Sequence, residues 1–138
     1  MAAISIQARH ADGFSSELLR WSLAVRDDVG RVEAVWFEYG APGHRRSRTA
    51  TFPFPTEWIV PLFDDFAALE SDYDSLITDS QTEDLTLKAD EREKRCRVYA
   101  GDIALRDHPE IAPFYRIWDP IKQAVLQALD LPFRPPKT

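Results

Sequence analysis

At 138 residues the chain has the length of one average domain and no room for two independent cores. Its hydrophobic share of 44%, with four Trp and eight Phe, supplies a packed interior and excludes a disordered chain despite 29% charged residues. No apolar run approaches the roughly 20 residues of a membrane helix, and a net charge of −6 disfavours nucleic acid as a partner.

The opening stretch MAAISIQARHADGF has no basic region ahead of a long apolar run, so a cytoplasmic protein is expected. Ile4–Ala8 is expected as an edge strand of a single domain spanning 1–138. Residues 18–26 alternate Trp21, Leu23 and Val25 against Ser22, Ala24 and Arg26, the period of a half-buried strand. Asp27-Asp28-Val29-Gly30 supplies a turn in which Gly30 is free to take positive φ. A second strand over 32–39 places Val35, Phe37 and Tyr39 on one face and Trp36 on the other, and a third over 49–54 carries Ala50, Phe52 and Phe54. Between them, His44-Arg45-Arg46-Ser47-Arg48 is a basic cluster that reads as a solvated hairpin loop.

Pro53 and Pro55 stop this meander, and Thr56 is placed to cap a helix over about 57–70. Trp58, Ile59, Leu62, Phe63, Phe66 and Leu69 form its apolar stripe, with Pro61 near the first turn. Two further strands, 85–89 and 95–100, are joined by a short polar segment as a hairpin. Asp107-His108-Pro109-Glu110 has capping-box spacing ahead of a second helix over 108–131, kinked or restarted at Pro120. Its inward face is Ile111, Phe114, Trp118, Ile121 and Val125, and residues 132–138 are a tail. The predicted class is α+β: one mainly antiparallel sheet with two amphipathic helices packed on it. Trp21, Phe37, Phe52, Leu62, Phe66, Val98, Phe114 and Trp118 are the expected core.

No catalytic motif, phosphate-binding loop or dinucleotide fingerprint occurs, and no cofactor is implied. His10, His44 and His108 have no second ligand at zinc spacing. Asp79–Asp84 is oxygen-rich but lacks the Gly and spaced Glu of a calcium loop, so no metal site is assigned. The lone Cys96 reads as a small buried apolar residue.

Charge is concentrated: residues 64–93 hold eleven acids against Lys88 and Arg92. That stretch is the candidate docking surface for a basic partner, with Asp72, Asp74, Asp79, Glu83 and Asp84 as contacts and Tyr73 as aromatic anchor.

The order of features from Trp21 to Leu131 resembles small bacterial domains of unknown function. The match rests on Asp72-Tyr73 with Ile77-Thr78-Asp79, then Leu85-Thr86-Leu87, then Lys94-Arg95 with Val98-Tyr99. More loosely, in size, charge and architecture, the chain is similar to immunity proteins of bacterial toxin systems, including contact-dependent inhibition. That resemblance implies a non-enzymatic protein that occludes a basic toxin domain. The competing readings are a small enzyme or ligand-binding domain with a pocket between sheet and helix, and a structural or adaptor subunit.

Overall fold

Alternation of apolar and polar residues builds a seven-stranded sheet buried on one side. The computed structural model describes residues 4–12, 19–37, 45–74, 81–99 and 101–130, apart from the side chains of residues 37, 45 and 101–103. The strands are β1 (Ser5–Ala11), β2 (Leu19–Arg26), β3 (Val29–Phe37), β4 (Arg45–Pro53), β5 (Asp72–Tyr73), β6 (Thr82–Ala89) and β7 (Arg92–Tyr99). Their order across the sheet is β4-β3-β2-β1-β6-β7-β5, antiparallel throughout except for the parallel pair β5 and β7. The α+β class and the mainly antiparallel sheet agree with the sequence reading.

Three helices follow the same chain order: α1 (Phe63–Ala67), α2 (Gly101–Asp107) and α3 (Ala112–Leu129). On α3 the buried residues Phe114, Ile117, Trp118, Ile121, Val125 and Leu129 recur at helical spacing and form one stripe. That stripe meets the inward residues of the strands, among them Ala8, Trp21, Leu23, Val32, Leu85, Leu87, Cys96 and Val98. At the centre, rings stack in series: His10 on Trp21, Trp21 on Trp118 at 5.4 Å, Trp118 on Phe114 at 5.5 Å, and Phe114 on Phe66. The pile runs from β1 through β2 to α3 and α1.

Several local expectations change. The N-terminal strand is not at an edge: β1 pairs with both β2 and β6, so it lies mid-sheet. Its alternation of Ile6, Ala8 and His10 inward supplies the strip that joins the two halves. Strand β3 buries Val32, Ala34 and Trp36, so Val35 belongs to the outer face. The side chain of Phe37, the residues Tyr39, Gly40–Gly43 and His44, and the tail 132–138 lie outside the described residues. Of the other expected core residues, Trp21, Phe66, Val98, Phe114 and Trp118 are buried, while Phe52 and Leu62 are half-buried.

In the turn between β2 and β3, Asp27 (φ 50°) and Asp28 (φ 60°) carry the positive φ angles. Two left-handed residues give the tight turn whose twist matches a hairpin. Gly30 has a different reason to be glycine: the Phe52 ring lies over it, and a Cβ there would stand 3.0 Å from Phe52 Cζ. Thr56 does not cap a helix with its side chain; its N–H and Oγ1–H both donate to Asp28 Oδ1, at 3.2 and 2.7 Å. The stretch expected as one helix is a 3₁₀ segment, Glu57–Leu62, followed by α1. Pro61 lacks the N–H an α-helix would need there, and its ring clashes with the carbonyl four residues back.

The β6–β7 hairpin is longer and tighter than expected, closing on Asp90-Glu91 with Asp90 at φ 54°. The expected capping box does not form, because Asp107 ends α2 and His108 precedes a short 3₁₀ turn without a side-chain cap. Helix α3 runs through Pro120 without restarting. Pro120 is exposed, on the solvent side of the helix, while burial of Ile117, Trp118 and Ile121 holds the helix. Arg48 does not sit in a loop: it lies on β4, and its Nη1 donates to the carbonyls of Leu129 (2.6 Å) and Asp130 (2.5 Å), capping α3.

Truncating the middle of the aromatic pile should be costly. Trp118→Ala removes a side chain with no solvent exposure, and urea unfolding should register a loss of about 3–5 kcal/mol. A loss below about 1 kcal/mol would mean the pile does not hold α3 to the sheet.

Candidate functional site on the uncovered sheet face

Because side chains alternate, each buried strand residue has neighbours that face the other way. On β1, β2 and β3 those neighbours include Arg9, Arg20, Ser22, Ala24, Arg26, Arg31 and Glu33, all exposed. No described helix covers them. Strand pairing sets them in rows across the sheet. One row reads Thr49, Glu33, Ser22, Arg9, Asp84, Arg97 and Asp72; the next reads Ser47, Val35, Arg20, Ala11, Thr82 and Tyr99.

The acidic stretch turns out to lie beside a basic strand. Arg95 grips Asp84 with two hydrogen bonds (3.0 and 2.5 Å), and Arg97 grips Asp72 with two (2.9 and 3.0 Å). Arg92 pairs with Asp64 at 2.8 Å and lies 4.6 Å from the centre of the Phe63 ring. These carboxylates hold the Arg95 and Arg97 guanidinium groups above their ordinary pKa, chiefly by the hydrogen bonds themselves. Pairs so exposed contribute little to stability, but they fix the direction of the side chains.

The six residues singled out from sequence therefore do not make one surface. Asp72 and Asp84 lie on the uncovered face, each engaged by an arginine. Asp74 is exposed beyond the end of β5. Asp79 lies outside the described residues. Tyr73 is a core residue rather than an exposed anchor, 5% accessible, its hydroxyl accepting from the Glu70 N–H at 3.0 Å. Burial raises its pKa. Glu83 is also buried, at 2% exposure, on the opposite side of the sheet from Asp84.

Between the two rows lies a shallow cavity of about 490 Å³, wide open to solvent. Its walls are Arg9, Arg20, Arg95 and Arg97, with Glu33 and Asp84 as its acids, and its floor includes the small side chains of Ala11, Ser22, Val35 and Thr82. Arg9 is the direct cross-strand neighbour of Asp84, yet both Asp84 oxygens bond to Arg95 and neither bonds to Arg9. Among the described residues, Arg9 and Arg20 have neither a hydrogen-bonded side-chain partner nor an ion pair. The outward parity of Arg20 was legible from Trp21 and Leu23; the neighbourhood of Arg9 was not, because it depends on β1 pairing with β6.

Directly behind this cavity, on the core side of the same strands, His10 stands opposite Glu83. His10 Nε2 is 2.7 Å from Asp12 Oδ1, and Asp12 Oδ2 accepts the Leu19 N–H, which ties the end of β1 to the start of β2. Glu83 accepts a 2.7 Å hydrogen bond from the Tyr115 hydroxyl. Trp118 Nε1 approaches the same carboxylate without reaching hydrogen-bond geometry. Burial pushes the Glu83 pKa up, opposed by the Tyr115 bond and by nearby His10 and Lys122. Cys96 is buried on this side, its thiol pushed up to about 12 by desolvation, which makes it a packing residue. Among the described residues no three His, Cys, Asp or Glu side chains converge as a metal site. None of the described helices is long and apolar enough to cross a membrane.

No family model matches the chain, and no curated protein matches it either.

The raised Glu83 pKa has a signed consequence. A carboxyl that binds its proton more tightly when folded favours the fold while protonated, and that contribution fades as pH rises through the raised value. Wild type should therefore lose stability relative to Glu83→Gln as pH rises from about 4 through that raised value. Parallel stability curves for the two proteins across that range would contradict the burial argument.

Proposed function

We propose that the chain is a non-enzymatic protein-binding domain that takes its partner on the uncovered face of the sheet, in an inhibitory role of the immunity type. The observation that carries the docking part is the sheet itself. Strands β1 to β3, at its middle, are packed by helices on one side and present exposed polar residues on the other. A strand surface held by a core behind it is pre-organised for docking, which lowers the ordering cost of association. Small size and the absence of a catalytic motif support the inhibitory part.

The pairing within the sheet supports a reading of the partner's charge. The expectation of a basic partner rested on the acids of 64–93, and three of these, Asp64, Asp72 and Asp84, are engaged by β7 arginines. The outer faces of β1, β2 and β3 carry Arg9, Arg20, Arg26 and Arg31 against Glu33. An acidic partner surface fits that face, and attraction of this kind acts mainly on the association rate.

A photo-crosslinking amino acid at Ser22, exposed in mid-sheet, and another at Gln123, exposed on α3, separate the two sides. In cells that encode the protein, a defined protein adduct should form from Ser22 and fade in high-salt extracts. Adducts from Gln123 alone, or from neither position, would sink the reading.

A further inference from the structure

We infer that the cavity between Arg9 and Arg20 is a subsite for side-chain carboxylates of an acidic segment of the partner, an inference that rests on the docking reading above. The two arginines are diagonal neighbours on adjacent strands, since Arg9 faces Ser22 and Arg20 faces Ala11. Diagonal side chains in such a pair stand roughly 7–8 Å apart at the backbone, within reach of long side chains. A guanidinium fork matches a carboxylate with two parallel hydrogen bonds. The forks of Arg95 and Arg97 are filled by Asp84 and Asp72, so these two arginines act as fixed walls.

Arg95 rather than Arg9 engages Asp84, so among the described residues Arg9 makes no ion pair. Asp84 stands opposite Arg9 but gives both oxygens to Arg95. Arg20 is flanked across its strand pairs by Ala11 and Val35, with Glu33 as its diagonal neighbour on β3, and among the described residues none of these makes an ion pair with it. The floor of Ala11, Ser22, Val35 and Thr82 leaves the space open. At about 490 Å³ the cavity falls in the size class of ligand clefts, roughly 300–1,000 Å³. Glu33 also lines it and opposes an incoming anion. Its neutralisation should tighten binding, which sets the sign of one control.

The test is a titration of the full chain with a capped tetra-glutamate peptide, followed by NMR of backbone amides and arginine Nε groups. Tetra-glutamine and tripolyphosphate are the comparison ligands. Tetra-glutamate should shift Arg9, Arg20 and the amides of Ala11, Ser22 and Thr82, and tetra-glutamine should not. Arg9→Gln with Arg20→Gln should weaken binding by about tenfold or more. The pair Arg26→Gln with Arg31→Gln, equal in charge removed and on the same face, should change it less than about twofold. Glu33→Gln should strengthen it. If the first pair fails to fold, Arg9→Lys with Arg20→Lys keeps the charge and removes the forks, and should still weaken binding.

Equal losses in the two arginine pairs would mean diffuse attraction and overturn the subsite. Tripolyphosphate seating at Arg9 and Arg20 while tetra-glutamate stays silent would overturn it as well. Ser22 adducts persisting at full yield in the Arg9→Gln, Arg20→Gln variant would overturn the subsite and leave the docking reading standing. Loss of all Ser22 adducts in the unaltered protein would overturn both.

Discussion

The aromatic pile from His10 through Trp21, Trp118 and Phe114 to Phe66 decides which side of the sheet is covered. Stacked rings bring large apolar area together with a defined geometry, so they fix the position of α3 against Trp21 of β2 as well as its affinity for the sheet. Once α3 is there, the parity of every strand follows. Trp21, Leu23 and Val25 must face the helix, and Arg20, Ser22, Ala24 and Arg26 must face away. A slip of one residue in any strand would exchange the two sets, which is why the register is firmly specified.

The same parity governs the charges. Glu83 and Asp84 are consecutive, so one is buried against Tyr115 and the other lies on the outer face with Arg95. A count of acids along the chain treats them alike; the sheet makes one a core residue and the other half of a clamp. The acidic stretch and the arginines of β7 are brought together by pairing of β5 and β6 with β7. A protein of net charge −6 thereby presents, at the middle of its sheet, arginines that make no ion pair among the described residues.

How much of this is legible in the sequence depends on the range of the interaction. Strands with strict alternation, such as Leu19–Arg26, and the apolar stripe of α3 are local patterns and can be read directly. The sequence reading of β3 puts Val35, Phe37 and Tyr39 on one face and Trp36 on the other, with Phe37 in the core, whereas the structure buries the parity of Val32, Ala34 and Trp36. The central place of β1, the clamps on Asp72 and Asp84, and the arginine-walled cavity all depend on pairings between segments far apart in the chain. Arg9 and Asp84 are separated by seventy-five positions and meet only because β6 returns beside β1. Local spacing carries no trace of that contact.

The arginines of this surface are thus of two kinds, those held by a carboxylate and those that make no ion pair among the described residues. Arginine-specific modification of the free protein with phenylglyoxal, with rates read residue by residue by mass spectrometry, tests this division directly. Arg95 and Arg9 are both exposed, so accessibility alone does not separate them. Arg9 and Arg20 should react several-fold faster than Arg95 and Arg97, and Asp84→Asn should bring Arg95 up towards the fast pair. Equal rates at all four positions, unchanged by Asp84→Asn, would contradict the account.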